Sequence, residues 1–356
     1  MRRGLIAWSK AELPESVFEA RLQRVRAAMM EKQLDALVLY TNNTRSAAVS
    51  WLTAFVPYWA EGLLVVPRAG DPFLVMAFSN RVVGWGKSVS HVARFEGIPR
   101  IGSGAGKYLA ACGAKSVGVA DLDGLRNAVA NDLAEAAAGS KLIDATALFE
   151  QVRALPDAAE IALAAKAGTI AQRALAQALG SEGQIGDALA AVEGEARLLG
   201  AEEVYMAAAC DLARDHRFLR VDGTAALGGS FALRATIAYK GSWTRMTRTF
   251  FRNKADAALT DRAADRFAAA IAQLPSGDGF AEFRSWLVEG CRLAQPLDPI
   301  MGSLIEEPRA LAAGSLVTVQ SVIEIDGRKI ALAAPVLVGT AGYPSSALVH
   351  PIFAHR

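Results

Sequence analysis

The segment Gly241-Ser-Trp-Thr-Arg-Met-Thr-Arg-Thr-Phe250 decides the fold of the second half of the chain. Its second half begins a segment whose residues favour a β-strand, and further strand-like segments precede and follow it along the chain. The predicted strands are 231–239, 246–252, Leu316–Ile325 and Lys329–Val338. The last two are joined by Asp326-Gly327, a dipeptide typical of tight hairpins. Helical patterns cover about 157–180, 187–199, 261–273 and 279–291. Helices combined with long antiparallel strands predict an α+β domain.

The first part of the chain has a different pattern, in which short apolar strands alternate with helices. The predicted strands are Asp35–Tyr40, Gly62–Pro67, Phe73–Ala77, Val117–Ala120 and Leu142–Ala145, with a hairpin at Arg68–Pro72. Capping boxes are expected at Ser16 with Glu19, and at Asp157 with Glu160. We therefore predict an α/β domain over residues 1–152 and a second domain over 153–356.

Composition excludes several classes of function. The chain has 356 residues, of which 52% are hydrophobic and 21% charged, and its net charge is +2, so nothing global indicates nucleic acid or an anionic membrane as a partner. Cys112, Cys210 and Cys291 form no metal-binding or disulfide pattern, and we expect buried free thiols. There is neither a signal-peptide pattern nor an apolar stretch that could span a bilayer. These features predict a soluble cytoplasmic protein.

The Thr-Arg-Thr-Phe ending of the opening segment resembles a strand shared by creatinase, prolidase and methionine aminopeptidase relatives. Leu304-Ile-Glu-Glu-Pro308 resembles the His-Glu-x-Pro segment of those proteins. Leu311–Gln320 and Ala331–Val338 resemble their last two long strands. The order and spacing of these motifs identify the chain as a divergent member of the creatinase, prolidase and aminopeptidase P superfamily. The resemblance implies a creatinase-like α/β domain, then a pita-bread domain with a curved antiparallel sheet, and a homodimer.

Members of this superfamily hold two divalent metals on two Asp, one His and two Glu. The resemblance places those five positions on Arg234, Arg245, Asp298, Gln320 and Ala333 of this chain. None of the five keeps the residue type of the family, and two have become cations, whereas divalent metals need anionic oxygen and imidazole ligands. We therefore predict that the chain has neither metal nor cofactor and is not an orthodox metallopeptidase.

Creatinase is the precedent for this fold working without metal. In it, as the resemblance implies, a histidine moves protons, and His216 lies one residue from the corresponding position if one insertion is allowed. Asp211 and Asp215 lie close enough in sequence to orient such an imidazole, which is the usual acid or base at neutral pH. The alternative is that His216 is a surface histidine of a charged loop. Creatinase's substrate-binding carboxylates correspond to Thr247 and Ala333, so its own substrate chemistry is not supported.

The two arginines favour an anionic ligand. The strand spacing that brings two aspartates to one metal in the family should bring Arg234 and Arg245 to one pocket, with Asp298 and Gln320 beside them. Two cations against one carboxylate leave a positive charge for a small anionic substrate. In the alternative reading the arginines pair with Asp298 and only fill the void left by the metals.

The sequence therefore predicts a metal-independent enzyme on a small anionic substrate, hydrolysing or cleaving a C–N bond. The alternative is a non-catalytic member of the superfamily that binds a ligand or a protein.

The first prediction concerns metal content. Because cations occupy two of the five family ligand positions, purified protein should carry less than one equivalent of any transition metal. A chelator should leave its melting temperature unchanged, since no metal-binding free energy contributes to folding. Elemental analysis combined with thermal denaturation checks both statements, and one or two bound metals per chain would contradict them.

Overall fold

A computed structural model describes residues 8–57, 59–180, 183–253, 256–290, 303–304 and 311–351 of the chain. The described residues form two compact units, the first ending at Ala154 and the second beginning at Leu155. The predicted boundary between residues 152 and 153 stays a prediction. None of the helices in the described ranges is long and apolar enough to cross a bilayer.

The first unit is an α/β domain built on a six-stranded mixed sheet with the strand order β4-β3-β2-β1-β5-β6. Its strands are β1 (Ala36–Thr41), β2 (Gly62–Pro67), β3 (Phe73–Met76), β4 (Arg94–Gly97), β5 (Ser116–Ala120) and β6 (Lys141–Asp144). Its helices are α1 (Glu15–Glu31), α2 (Ala47–Thr53), α3 (Val83–Ser88), α4 (Ile101–Ala111), α5 (Asn127–Ala136) and α6 (Thr146–Val152). β1, β2 and β3 are antiparallel neighbours, whereas β5 runs parallel to both β1 and β6.

The central strands of this sheet are buried on both faces. In β1, Leu37 and Leu39 pack in a core with α1 and α2, whereas Ala36 and Val38 pack in a second core with α4 and α5. Successive side chains of a strand point to opposite faces, so a continuous apolar run is what a sheet covered on both sides requires. The apolar segments that the sequence predicts as buried strands are confirmed as strands of this sheet.

The second unit is an α+β domain in which helices cover one face of a larger antiparallel sheet. Its helices are α7 (Ala158–Ala176), α8 (Ile185–Leu198) and α9 (Ala258–Ile271). Its strands are β7 (Glu203–Ala209), β8 (Ser230–Tyr239), β9 (Ser242–Phe251), β10 (Ser285–Gly290), β11 (Ser303–Leu304), β12 (Leu316–Ile325), β13 (Arg328–Leu337) and β14 (Ser346–Ala347). The strand order is β11-β10-β12-β13-β9-β8-β7, and β14 pairs with β13.

The two faces of this sheet differ in chemistry because the long strands alternate apolar and polar residues. On the face that we call the apolar face, Leu233, Ala235 and Ile237 of β8 pack with the core residues of α7, α8 and α9. The intervening positions of the strands point to the opposite face. This opposite face, which we call the polar face, carries buried or half-buried polar side chains: Arg234, Thr236, Arg245, Thr247, Glu289, Thr318 and Gln320.

Most local predictions agree with these elements. The capping box of Asp157 and Glu160 is confirmed, with both reciprocal hydrogen bonds present at the start of α7. The turn at Asp326-Gly327 is also confirmed. Its two residues have φ values of 50° and 73°, and the common two-residue hairpin turn requires a positive φ at both central residues.

Three local predictions are wrong. The helix α1 begins at Glu15, after Pro14 in its N-cap position and without a side-chain cap, so the predicted Ser16 box does not form. The stretch 279–291 is not one helix, because Ser285–Gly290 forms the strand β10. β10 pairs in register with β12, and this tertiary pairing outweighs the local helical pattern. The thiol of Cys112 is exposed rather than buried, whereas that of Cys210 is partly exposed.

Two helical glycines provide a test of the packing. The helices α4 and α5 lie so close that a Cβ atom on Gly102 would come within 2.3 Å of the carbonyl oxygen of Val129. Replacing Gly102 by Ala should therefore lower the free energy of unfolding by about 1–3 kcal/mol. Gly194, in the exposed part of α8, has open space around the corresponding position.

The matched control is Gly194→Ala, which should raise the free energy of unfolding by about 0.5–1 kcal/mol, because alanine loses less backbone entropy in a helix. Urea denaturation of both variants makes the comparison. Equal effects of the two substitutions would contradict the close packing of α4 on α5.

Candidate functional site

The candidate site lies on the polar face, where the register of the sheet aligns residues into rows across neighbouring strands. One row runs from Gln320 through Ala333 and Thr247 to Arg234. We call these four residues the central row. Nearby on the polar face, Thr236 lies opposite Arg245 and Thr318 lies opposite Glu289. Residues directly opposite each other in antiparallel strands have Cβ atoms about 4.5–5.5 Å apart, so side chains along a row can contact one another.

A buried ion pair joins Arg245 to Glu289. The Nη1 atom of Arg245 donates to Oε2 of Glu289, and its Nε donates to the hydroxyl of Thr236 at 3.0 Å. The side chains of the pair are only 5% and 11% exposed. A charge this deeply buried is stable only when it is paired and hydrogen-bonded, and here both conditions are met. The guanidinium of Arg245 is therefore already neutralised by the protein.

Arg234 has a different environment on the same face. Its Nη1 donates to the neutral amide oxygen of Gln320 at 3.3 Å, and its guanidinium lies over the ring of Phe218, 5.0 Å from the ring centre. Burial, and after it the charge of Arg245, lower the pKa of Arg234 to about 10, although Glu289 opposes both effects. Arg234 still carries its proton at neutral pH. It therefore contributes a positive charge that no described carboxylate contacts.

Two further polar groups of the central row are buried. The Nε2 atom of Gln320 and the hydroxyl of Thr247 have no hydrogen-bond partner among the residues that the structure describes. Gln320 is 9% exposed and Thr247 only 2%. An unsatisfied buried donor typically costs about 1–3 kcal/mol, so these groups call for an acceptor that the described part of the chain does not supply. Together with Arg234, they form a set of donors that no anionic group of the described residues contacts.

The groups on the polar face do not fit a divalent metal. Glu289 is already paired with Arg245, and none of the described carboxylates contacts Arg234. The predicted ligand positions of the family carry Arg234, Arg245, Gln320 and Ala333. Within the described ranges, no group of three or more His, Cys, Asp or Glu side chains could hold a metal ion. Hard divalent cations need several anionic oxygens, and two guanidinium groups would repel them.

The predicted catalytic residue His216 lies in the loop between β7 and β8 and is partly exposed. Its neighbours Asp215 and Arg217 form an ion pair at 2.8 Å, and hydrogen bonds from Arg217 lower the pKa of Asp215 to about 2. Asp215 is therefore occupied by Arg217 rather than directed to the imidazole. The same loop continues to Phe218, whose ring covers Arg234. A catalytic role for His216 stays a prediction.

The structure brings together three of the predicted substrate-binding residues on one face: Arg234, Arg245 and Gln320. Asp298 lies outside the described residues, as do Glu306 and Glu307. Sequence reasoning missed Glu289, the partner of Arg245, because its segment was read as a helix. It also missed Thr247 as a donor. The available signal was the alternation of the apolar Trp286 and Val288 with the polar Ser285 and Glu289, since it fits a strand with one polar face.

Comparison with known proteins agrees with this architecture. The family model of the creatinase/prolidase N-terminal domain matches residues 21–155. The chain has the creatinase and prolidase fold. The sequence-based resemblance to this superfamily is thereby confirmed, and so is the α+β class with a creatinase-like first domain. No curated protein matches the chain by sequence.

Solved structures with this fold match nearly the whole chain. An Xaa-Pro dipeptidase from Bacillus anthracis is 17% identical with a TM-score of 0.67, and the match covers 93% of this chain and 97% of that one. An X-Pro aminopeptidase from Thermotoga maritima MSB8 is 15% identical with a TM-score of 0.68, over 93% and 99%. The prolidase from Pyrococcus horikoshii OT3 is 16% identical with a TM-score of 0.65, over 92% and 97%. At these identities the likeness establishes the fold of the creatinase and prolidase superfamily, and no activity.

The two arginines should affect stability in opposite directions. Arg245→Met leaves the carboxylate of Glu289 buried without its partner, which should cost about 3–5 kcal/mol. Arg234→Met removes a buried charge that is repelled by Arg245. It should therefore raise the free energy of unfolding, on the order of 1 kcal/mol after allowance for the partial exposure of Arg234.

Urea denaturation at neutral pH measures both effects. The double substitution Arg245→Met with Glu289→Leu serves as the control, because it removes both charges and should recover most of the lost stability. A loss of several kcal/mol on Arg234→Met would show that Arg234 also has an internal anionic partner.

Proposed function

We propose that this protein is a metal-independent enzyme of the creatinase and prolidase fold that acts on a small anionic substrate. The observation that carries the proposal is the contrast between the two arginines. Arg245 is neutralised by Glu289, whereas the described partner of Arg234 is a neutral amide. Arg234 is half-buried, and where the effective dielectric is lower than that of water one uncompensated positive charge attracts an anion strongly.

The reaction that we propose is the hydrolysis or lysis of a C–N bond. In the hydrolytic form, a water molecule adds to the carbon atom and the nitrogen leaves with a proton, so only water is consumed. His216 is proposed as the group that accepts the proton of water and later returns it to the leaving nitrogen, since an imidazole exchanges protons readily at neutral pH. Arg234 would hold the anionic group of the substrate, because its charge is not compensated by a described carboxylate.

A second candidate is a non-catalytic member that binds a ligand or a protein. One observation favours it: none of the hydrogen bonds between described residues links His216 to the central row. Both candidates share the anion site and differ only in turnover. For either candidate we further propose a homodimer in the cytoplasm, as the resemblance led us to expect.

The enzyme proposal predicts turnover that is insensitive to chelation. Purified protein in excess EDTA should hydrolyse at least one class among N-acyl amino acids, N-carbamoyl amino acids and Xaa-Pro dipeptides. His216→Gln should reduce kcat by at least about 100-fold, because general acid–base catalysis contributes about 100- to 10,000-fold. Arg234→Met should raise KM, because it removes the charge that binds the substrate.

The controls for this experiment separate the candidates. His91→Gln changes a histidine of the other unit, which packs against Phe18, and should leave kcat unchanged. Turnover that appears only after a divalent metal is added would contradict metal independence. Binding of these compounds without turnover of any of them would make the non-catalytic candidate correct.

A further inference from the structure

The central row contains more hydrogen-bond donors than the described residues can satisfy. Gln320 and Arg234 lie at its ends, on strands that are three neighbours apart, so their backbones are separated by about 14 Å at the usual strand spacing. Their side chains nevertheless meet at 3.3 Å. They can do so because the residues between them, Ala333 and Thr247, are small. The side chains of Arg234 and Gln320 therefore extend toward each other over the short side chains of Ala333 and Thr247.

We propose that the central row is a binding site for a monocarboxylate. The Nη atoms of Arg234, Nε2 of Gln320 and the hydroxyl of Thr247 would donate to its two oxygens. This inference rests on the proposed function, because it names the chemical class of the anionic group. It assigns the substrate contacts to Arg234, Gln320 and Thr247, and leaves Arg245 as a structural residue.

Charge balance favours a single negative charge on the ligand. Arg245 and Glu289 cancel each other, so Arg234 leaves the row with one positive charge. A carboxylate neutralises it, whereas a phosphate dianion would leave a net negative charge in a buried site. Buried charges are tolerated when they are paired one to one and hydrogen-bonded, so the monoanion is the better match. Burial and the charge of Arg245 lower the pKa of Arg234 to about 10, which leaves the guanidinium charged at neutral pH.

The shape of the donor set favours a planar ligand. The ring of Phe218 contacts the guanidinium of Arg234 without accepting a conventional hydrogen bond from it, and one Nη1 proton is donated to Gln320. A planar fork of N–H groups matches the two coplanar oxygens of a carboxylate. Gln320 and Thr247 are buried donors with no partner among the described residues, and they extend the fork on one side. A tetrahedral oxyanion would direct one or more oxygens away from these donors.

Titration calorimetry with acetate and propionate tests the site, with inorganic phosphate and sulfate as competing classes. The carboxylates should bind and raise the melting temperature, because a ligand of the folded state stabilises it. Arg234→Met should abolish detectable carboxylate binding. Thr247→Val and Gln320→Leu should each weaken it by about 10- to 100-fold, the usual effect of losing a hydrogen bond to a charged group.

The sheet itself supplies matched controls. Thr244 and Ser321 are buried on the apolar face and also lack a described hydrogen-bond partner for their hydroxyl groups. Thr244→Val makes the same change as Thr247→Val on the same strand, and Ser321→Ala changes the neighbour of Gln320. Both should leave carboxylate affinity within twofold of the wild type. Arg234→Lys should keep weak anion binding but lose the preference for carboxylates, since an ammonium group has no planar fork.

Each outcome has a separate meaning. Carboxylate binding that depends on all three residues supports the inference, whether or not any substrate is turned over. Tighter binding of phosphate or sulfate, still dependent on Arg234, would overturn the carboxylate class and leave the proposed anion site intact. Carboxylate affinity that is unchanged in Arg234→Met and Thr247→Val would overturn the central row as the site. Absence of binding by all four anions would overturn the anion site as well.

Discussion

The arrangement of charges on the polar face depends on the ion pair between Arg245 and Glu289, which is almost fully buried. A guanidinium at this depth has to be compensated, since an isolated buried charge costs several kcal/mol. Glu289 provides the compensation from β10, and Thr236 provides an acceptor from the strand next to Arg245. The pair thus ties strands that are distant in sequence to one another. It also removes Arg245 from the groups that can hold a ligand, and this decides which charge on the face remains available.

The difference between the two faces explains how the creatinase and prolidase fold can persist while the residues of the polar face change. The apolar face is a continuous core shared by three helices, and it requires only alternating apolar residues on the strands. The polar face contributes little to that core, so its residues can change charge as long as each change is compensated locally. Low sequence identity to the solved relatives, at nearly full coverage and with TM-scores of 0.65 to 0.68, is what such a division produces. The fold therefore does not determine the function, which has to be argued from the side chains of the polar face.

Sequence reasoning succeeded where local physics decides the outcome. The Asp157 cap, the Asp326-Gly327 turn and the buried strands follow from propensities and spacing within a few residues. It failed where a distant partner decides. Ser285–Gly290 has a local pattern compatible with a helix, and only its register with β12 makes it a strand. The same failure concealed Glu289, so the charge of Arg245 was assigned to the ligand. The meeting of Arg234 and Gln320 was foreseen in outline, because the motif spacing placed both at one pocket, but the role of Thr247 depends on the row that the sheet register creates.

The remaining question about the polar face is whether Arg234 only fills space, as the alternative reading of the sequence has it. Arg245 shows what a space-filling arginine looks like in this protein: it has a carboxylate, a second acceptor and almost no exposure. Arg234, on the same face and within range of the charge of Arg245, has a neutral acceptor, a lowered pKa and two neighbouring donors, on Thr247 and Gln320, without described partners. A site shaped for stability alone would gain by placing an acceptor there, because each unsatisfied donor costs free energy. These donors lower the stability of the protein by themselves, but they match the hydrogen-bond acceptors of an anion. This is the arrangement expected of a binding site, where stability is given up for function. The difference between the two arginines therefore favours a ligand at Arg234 over a structural filling of the face.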